Sequence, residues 1–237
     1  MDRPSKRVNG IWLPADDEHY AAALTAPCKR YKRPVFDGRP ALGWHHMKAA
    51  LEVTKGRRVF VDAGAHVGLW SMWMVDIFRK VHAFEPMPAH CKVLMRNVAG
   101  ANASRLDLHR YALGDGKATV LMKSGGAQSG RAHIGEESAA PDYEGDDVVT
   151  EVRPLDSLRL RNVDLIKIDV EGYEVKVLMG AEKTIRDSRP TVIVESVGWE
   201  QRYGETPGAA LDLLRDWGAV ELRPGMKGDY FFGWAGE

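Results

Sequence analysis

Asp62, Gly64 and Gly68 stand in the string VFVDAGAHVGLWS with the spacing D-x-G-x-x-x-G, where an apolar run gives way to a Trp- and Met-rich segment. Bare backbone at a strand-to-helix turn is what a ligand needs in order to approach the chain closely. Gly64 is expected to bend the turn, and Gly68 to let the next helix start tight against the strand. The spacing is neither G-x-G-x-x-G nor G-x-x-x-x-G-K-[ST], which argues against a dinucleotide and against a nucleoside triphosphate. An acid leading the turn points the same way. Asp62 would repel a phosphate, yet it could hold an ammonium or a hydroxyl, and S-adenosylmethionine offers both. Glu85, 17 residues beyond Gly68 in HAFEP, has the spacing at which a carboxylate accepts hydrogen bonds from ribose hydroxyls. Pro86 beside it, and Tyr111, Ala112 and Asp115 after the third strand, extend the expected nucleoside site.

The second group with chemical potential is VDLIKIDVEG, residues 163–172. Asp169 and Glu171 fall at the carboxyl end of a strand, with Lys167 inside it. A lysine buried in a central strand needs a partner, Asp169 or Glu195. It would then be half of a structural ion pair or a base of depressed pKa. Asp169 could take a proton from an acceptor hydroxyl, cap the following helix, or join Glu195 or Glu171 around a hard cation such as Mg²⁺. The spacing completes no metal site. The segment lacks the proline-and-aromatic turn common in methylation of base amines, and its carboxylates suit an oxygen nucleophile.

These residues need a scaffold to hold them. From Arg57 onward, seven strand-like runs alternate with amphipathic ones: RVFVDA, KVHAFE, LDLHRYA, VDLIKIDV, TVIVES, AVELRP and YFFGWA. The alternation predicts an α/β, doubly wound, mostly parallel seven-stranded sheet with helices on both faces. Trp70, Trp73, Met74 and Ile77 form the inward stripe of one helix. A second follows Gly172, with Val175, Leu178, Ala181 and Ile185 inward, and a third closes at Gly218. Residues 1–50 are interrupted by prolines and read as a cap on the substrate side, with 51–237 as the binding domain. The Gly-, Ser- and acid-rich stretch at about 123–147 reads as a mobile insertion.

Equal numbers of basic and acidic residues, 33 each, leave no overall field to attract a polyanion. CKRYKR at 28–33 supplies only a local basic patch. The two cysteines, Cys28 and Cys91, have neither zinc nor disulfide spacing and suit a reducing cytoplasm. No run has the length or apolarity of a signal peptide or membrane span. His45 and His46, adjacent on a helix, cannot form an i, i+4 metal pair. Trp12, Trp44, Tyr143 and Trp199 could stack on a sugar or base, with packing as their ordinary role.

Three stretches resemble the FkbM family of S-adenosylmethionine-dependent methyltransferases: VFVDAGAHVGLWS, VHAFEPMPAHCKVLMRNV, and the segment from PLDSLRL through KIDVEGYEVKVLMGAEKTIRDSRPTVIVES. The resemblance runs from Val59 to the end and implies a Rossmann-like class I methyltransferase fold, with O-methylation of hydroxyls on sugars or other small metabolites. His66 departs from it, standing where the family has asparagine, which places the contact to the cofactor's amino acid part in question. Two alternatives stay open: methylation of a nucleic-acid 2′-hydroxyl or cap, suggested by the basic patch, and a cofactor-fold binding module without catalysis, suggested by His66.

Overall fold

The run Val163–Ile168 is buried at all six positions, as a central parallel strand covered on both faces must be. Its two charged residues sit near its ends, where partners reach them. Asp164 accepts the backbone N–H of Arg58 at 2.6 Å and pairs with the Arg58 guanidinium, away from the turns that form the site. Lys167 pairs with Asp169 at the opposite, carboxyl end.

A computed structural model describes residues 4–26, 34–36, 38–135 and 147–235. Its main sheet contains β1 (Val59–Ala63), β2 (Lys80–Phe84), β3 (Leu106–His109), β4 (Val163–Ile168), β5 (Thr191–Glu195), β6 (Ala219–Met226) and β7 (Asp229–Trp234). Their order across the sheet is β3-β2-β1-β4-β5-β7-β6, and β7 is the antiparallel member. All seven strand-like runs of the sequence are therefore strands of one sheet. The order reverses between β1 and β4, so the turns after these strands open a crevice where a ligand can enter.

Helices cover both faces. On one, α1 (His19–Thr25), α2 (Trp44–Val53), α3 (Ser71–Ile77) and α4 (Pro88–Asn97) share a core with the sheet. Ile11 and Leu13 of an N-terminal hairpin, Ser5–Val8 with Ile11–Pro14, belong to this core with Leu24, Met47, Ala50, Phe60 and Trp73. This added cover explains a departure in α3. Trp73 and Met74 are buried as the stripe requires, but Met72 and Val75 are buried too, because the helix has apolar neighbours on more than one side.

The other face carries α5 (Glu174–Met179), α6 (Glu182–Ser188) and α7 (Ala209–Asp216). The single helix expected after Gly172 is two, although Val175, Leu178, Ala181 and Ile185 are all buried. The break falls at Gly180, where a Cβ would lie 1.9 Å from the carbonyl oxygen of Gly114. Helix α7 ends in Gly218 at φ 89°, the left-handed stop expected there.

LDLHRYA divides after His109. Ala112–Leu113 leaves the main sheet and joins a second, four-stranded one with Ala118–Lys123, His133–Ile134 and Val148–Arg153. Of the stretch 123–147, residues up to Gly135 fold back on the body of the protein, and Ser129 is buried. Residues 136–146, with Tyr143, lie outside the described residues, as do Cys28 and the rest of the CKRYKR patch. Among the described residues, no helix is long and apolar enough to cross a membrane.

One buried histidine gives the fold a pH dependence. His82 on β2 bonds His109 through Nδ1 at 3.1 Å, and burial, then His109, lowers its pKa to about 4. The unfolded chain, with histidine near 6.5, binds this proton at higher pH than the folded chain does. The stability His82 contributes is thus present above about pH 6.5 and lost as pH falls toward 4. His82→Asn is expected to flatten the acid limb by about 2 kcal/mol relative to the wild type, read from urea unfolding at pH 7 and pH 4.5.

Candidate functional site

Past the carboxyl ends of β1, β2 and β4 lies a cleft of about 580 Å³, its mouth included. Gly64 and His66 come from the turn after β1, Glu85, Pro86 and His90 from the turn after β2 and the start of α4, and Asp169 and Glu171 from the turn after β4. Phe84, Leu113, Met122 and Ile134 supply apolar wall, partly from the second sheet. An apolar slot with a few convergent polar groups is the usual form of a small-molecule site.

Glu85 is 5% exposed, and its carboxylate is shaped by its surroundings. Oε2 accepts the backbone N–H of His66 at 2.8 Å. Oε1 accepts that of Met87 at 2.8 Å and faces His90 Nδ1 at 3.2 Å. These contacts fix the group while leaving acceptor capacity on Oε2, since a carboxylate offers about four lone-pair directions. Cys91 packs behind, its thiol donating to the Glu85 carbonyl, and burial pushes it up to about 12. Buried and raised in this way, it is an inert thiol.

The turn after β4 gathers acids. Asp169, Glu171 and Glu195 place carboxylate oxygens within 4.8 Å of one another. Burial, then the Asp169 charge, raises Glu171 to about 7, and the same two causes raise Glu195. Lys167 lies among them, with Nζ 2.8 Å from Asp169 Oδ2. Burial opposes its charge, but the Asp169 and Asp62 carboxylates outweigh it and raise its pKa. Lys167 is therefore a resident cation and not the base of depressed pKa that the sequence left open. Its single charge is shared between Asp169 and Asp62.

Glu171 has φ 59°, a left-handed conformation costly for a side chain of this size, and Gly172 follows at φ 110° with no room for a Cβ beside the Trp199 carbonyl. The strained pair turns the Glu171 side chain into the cleft. Asp169 does not cap the helix that follows, which begins without a side-chain cap; Glu174 Oε1 instead accepts the N–H groups of Val170 and Gly172 and so holds the turn before it.

Six expected site residues do not line the cleft, among them Glu195 at the end of β5. Asp62 is buried behind it, with Oδ2 accepting the Ser71 hydroxyl at 2.7 Å and Lys167 as its neighbour in the β1–β4 register. Gly68 makes room for Leu94 of α4, which a Cβ would meet at 2.9 Å. Lys167 supports Asp169 from within β4. Tyr111 lies under the Arg153 guanidinium, 4.7 Å from its ring centre, and Asp115 is drawn to Lys176 at 2.9 Å. His45 and His46 are away from the cleft, with His46 paired to Asp229. Trp12 packs against Arg96, Trp44 against Phe36, and Trp199 against Arg202.

His90, Ser129 and Tyr173 were not anticipated. His90 carried a usable signal, since it follows Glu85 by five residues and sits on the first turn of the next helix. Ser129 carried none: its partners are 63 and 112 residues away.

A Rossmann-like sheet with its cleft at the β1/β4 switch point, an acid closing β2 and carboxylates closing β4 is the arrangement of the doubly wound, class I methyltransferase fold. The family model for the methyltransferase FkbM domain matches residues 62–220, and the chain belongs to that family. Methyltransferase 1 of Beauveria bassiana (strain ARSEF 2860) is 26% identical over 191 residues, covering 69% of this chain and 77% of that protein. Methyltransferase sdnD of Sordaria araneosa is 30% identical over 172 residues, covering 59% and 66%. The crystal structure of the methyltransferase FkbM from Methylobacillus flagellatus KT shares the fold, with a TM-score of 0.51 at 19% identity. That match covers 77% of this chain and 45% of the other, so this chain spans less than half of that protein's length.

Proposed function

We propose that this chain transfers the methyl group of S-adenosylmethionine to a hydroxyl of a sugar or another small metabolite. The observation that carries the reading is the placement of Glu171, raised to about 7, in the same cleft as Glu85. Glu85 suits the ribose hydroxyls, the slot of Phe84, Leu113, Met122 and Ile134 suits a purine, and Asp169 suits the ammonium. When bound, the cofactor supplies a sulfonium-activated methyl group that an oxygen nucleophile takes in line, leaving the thioether.

The protein's part is positioning and proton transfer. A neutral hydroxyl that gains a methyl group must lose its proton, and a carboxylate of pKa near 7 is matched to accept it near neutral pH. Burial first, and then Asp169 beside it, give Glu171 that raised affinity for a proton, and Lys167 holds Asp169 in place at 2.8 Å. The N-terminal segment is read as an acceptor-side cap, although its Asp17 and Tyr20, which reach Ser129 and the His66 ring, belong to the cofactor side of the cleft. The nucleic-acid alternative draws on residues 28–33, outside the described part of the chain.

Incubation with radiolabelled S-adenosylmethionine and a panel of hydroxylated small molecules tests the reading. Label in an acid-stable ether of a sugar or small metabolite is expected. Label found only on nitrogen, or only in RNA or DNA oligomers with steep salt dependence, would overturn it.

A further inference from the structure

Three segments distant in sequence meet at the ring of His66. The residue adopts φ 49°, so its ring leaves the turn from a conformation that asparagine takes at lower cost. The ring is enclosed by Tyr20 and His90, with ring centres 4.9 and 4.5 Å away. Nε2 lies 2.7 Å from Ser129 Oγ, and Ser129 Oγ is bonded in turn to Asp17 Oδ2. Both of these partners are buried. Asp17 Oδ1 accepts the backbone N–H of Tyr20 at 2.7 Å.

Counting protons sets the direction of this relay. A serine hydroxyl has one hydrogen, and the Asp17 carboxylate can only accept, so Ser129 donates to Asp17. The serine's lone pairs then face Nε2, which must carry the ring hydrogen. Burial, then the neighbouring His90, holds the His66 pKa well below 6.5, so the ring is neutral and has one N–H. Nδ1 is left as a bare acceptor. It is shielded from solvent and has no hydrogen-bond partner among the described residues, on a side chain that lines the cleft. A buried polar atom without a partner is expensive, and a bound ligand would remove the expense.

We propose that His66 Nδ1 is a preset acceptor for a donor group of the bound nucleoside cofactor, either its ammonium or a ribose hydroxyl, with Ser129 and Asp17 as positioning residues that lock the ring tautomer. The proposal rests on the cofactor reading above. It ties the N-terminal segment and the turn Ser129–Arg131 to cofactor affinity. The sequence alone could not show this, because the three positions have no common spacing.

The test combines ring-nitrogen NMR of histidine-labelled protein with calorimetric titration of S-adenosylhomocysteine and 5′-methylthioadenosine, which lacks the amino acid part. The His66 signal is assigned by its loss in His66→Asn. The wild type is expected to show the Nε2–H tautomer. In Asp17→Asn the amide oxygen still accepts from Tyr20, and the amide nitrogen faces Ser129, whose hydroxyl then turns to Nε2. The ring is expected to switch to Nδ1–H, with S-adenosylhomocysteine binding about tenfold weaker. Ser129→Ala, which releases the lock, is expected to give mixed tautomers and an intermediate loss. A loss confined to S-adenosylhomocysteine identifies the ammonium as donor, whereas a loss with both ligands identifies the ribose; either supports the proposal. An Nδ1–H ring in the wild type, or a tautomer switch that leaves both affinities unchanged, would overturn it. A wild type with the expected tautomer that binds neither ligand would instead overturn the cofactor reading, and the acceptor role with it.

Discussion

Glu171→Gln is expected to lower the rate of methyl transfer by about 10²–10⁴ while leaving cofactor affinity about unchanged. The substitution keeps the size and shape of a side chain held in a strained turn between Asp169 and the Arg202 guanidinium, and removes only the ability to accept a proton. The loss should therefore fall on turnover and not on binding. The wild-type rate should rise with pH through about 7, as Glu171 loses its own proton and becomes competent as a base. The residual activity of the variant should lack that limb. Rapid-quench measurement of labelled ether formation from pH 5.5 to 9 reads both effects. Full turnover in Glu171→Gln would remove this residue from proton transfer and move attention to Asp169.

Gly64→Ala is expected to destabilise the protein by about 2–5 kcal/mol, combining the cost of a left-handed non-glycine residue with that of overpacking. Gly64 has φ 81°, and a Cβ there would lie 1.8 Å from the carbonyl oxygen of Asp169. Both neighbours are backbone at the ends of adjacent central strands, so neither can rotate away. Whatever relaxation occurs must push the β1 and β4 turns apart, and these turns carry His66, Asp169 and Glu171. Cofactor affinity should fall along with stability. Gly116→Ala is the matched control, since its Cβ would meet nothing within 4 Å, and its effect should stay within about 0.5 kcal/mol. Urea unfolding and calorimetric titration of the two variants make the comparison. Equal stability in both would show that the β1–β4 contact is looser than the geometry requires.

What could be read from the sequence follows from where the information resides. The central strands were legible because each is a short apolar run covered on both faces, whereas Leu106–His109 and Ala219–Met226, at the two edges, are only partly buried and show through their alternation with the helices. The break at Gly180 was not, because the reason for it is the Gly114 carbonyl, 66 residues away and invisible to helical periodicity. The pairing of Ala118–Lys123 with Val148–Arg153 was masked by the polar, glycine-rich stretch between them, which resembles a free loop until its partners are seen. In the site, Gly64, His66, Glu85, Pro86, Asp169 and Glu171 lie together in the cleft because each follows a strand whose end the sequence marks, while Ala112 reaches it from a strand of the second sheet. Asp62 and Lys167 precede those ends by a residue or more, and the pleat places them behind the surface, where they balance each other's charge. Tyr111 and Asp115 were misplaced because the chain leaves the main sheet after His109, a change of direction that no residue type announces. Ser129 enters through packing between distant segments, whereas His90, five residues after Glu85, was within local reach.

The account depends most on Glu85 and the cleft it closes. Titration of S-adenosylmethionine and S-adenosylhomocysteine into the wild type and into Glu85→Gln tests it most directly. Gln retains one acceptor oxygen but forfeits the charge and half of the acceptor capacity offered to ribose. Saturable binding to the wild type, weakened about 10- to 100-fold in Glu85→Gln, is the predicted result, with a modest fall in melting temperature because the amide leaves the N–H of His66 or Met87 unmatched. Equal binding to both proteins, or none to a well-folded wild type, would contradict it; the latter would bring forward the reading of this chain as a cofactor-fold module without catalysis.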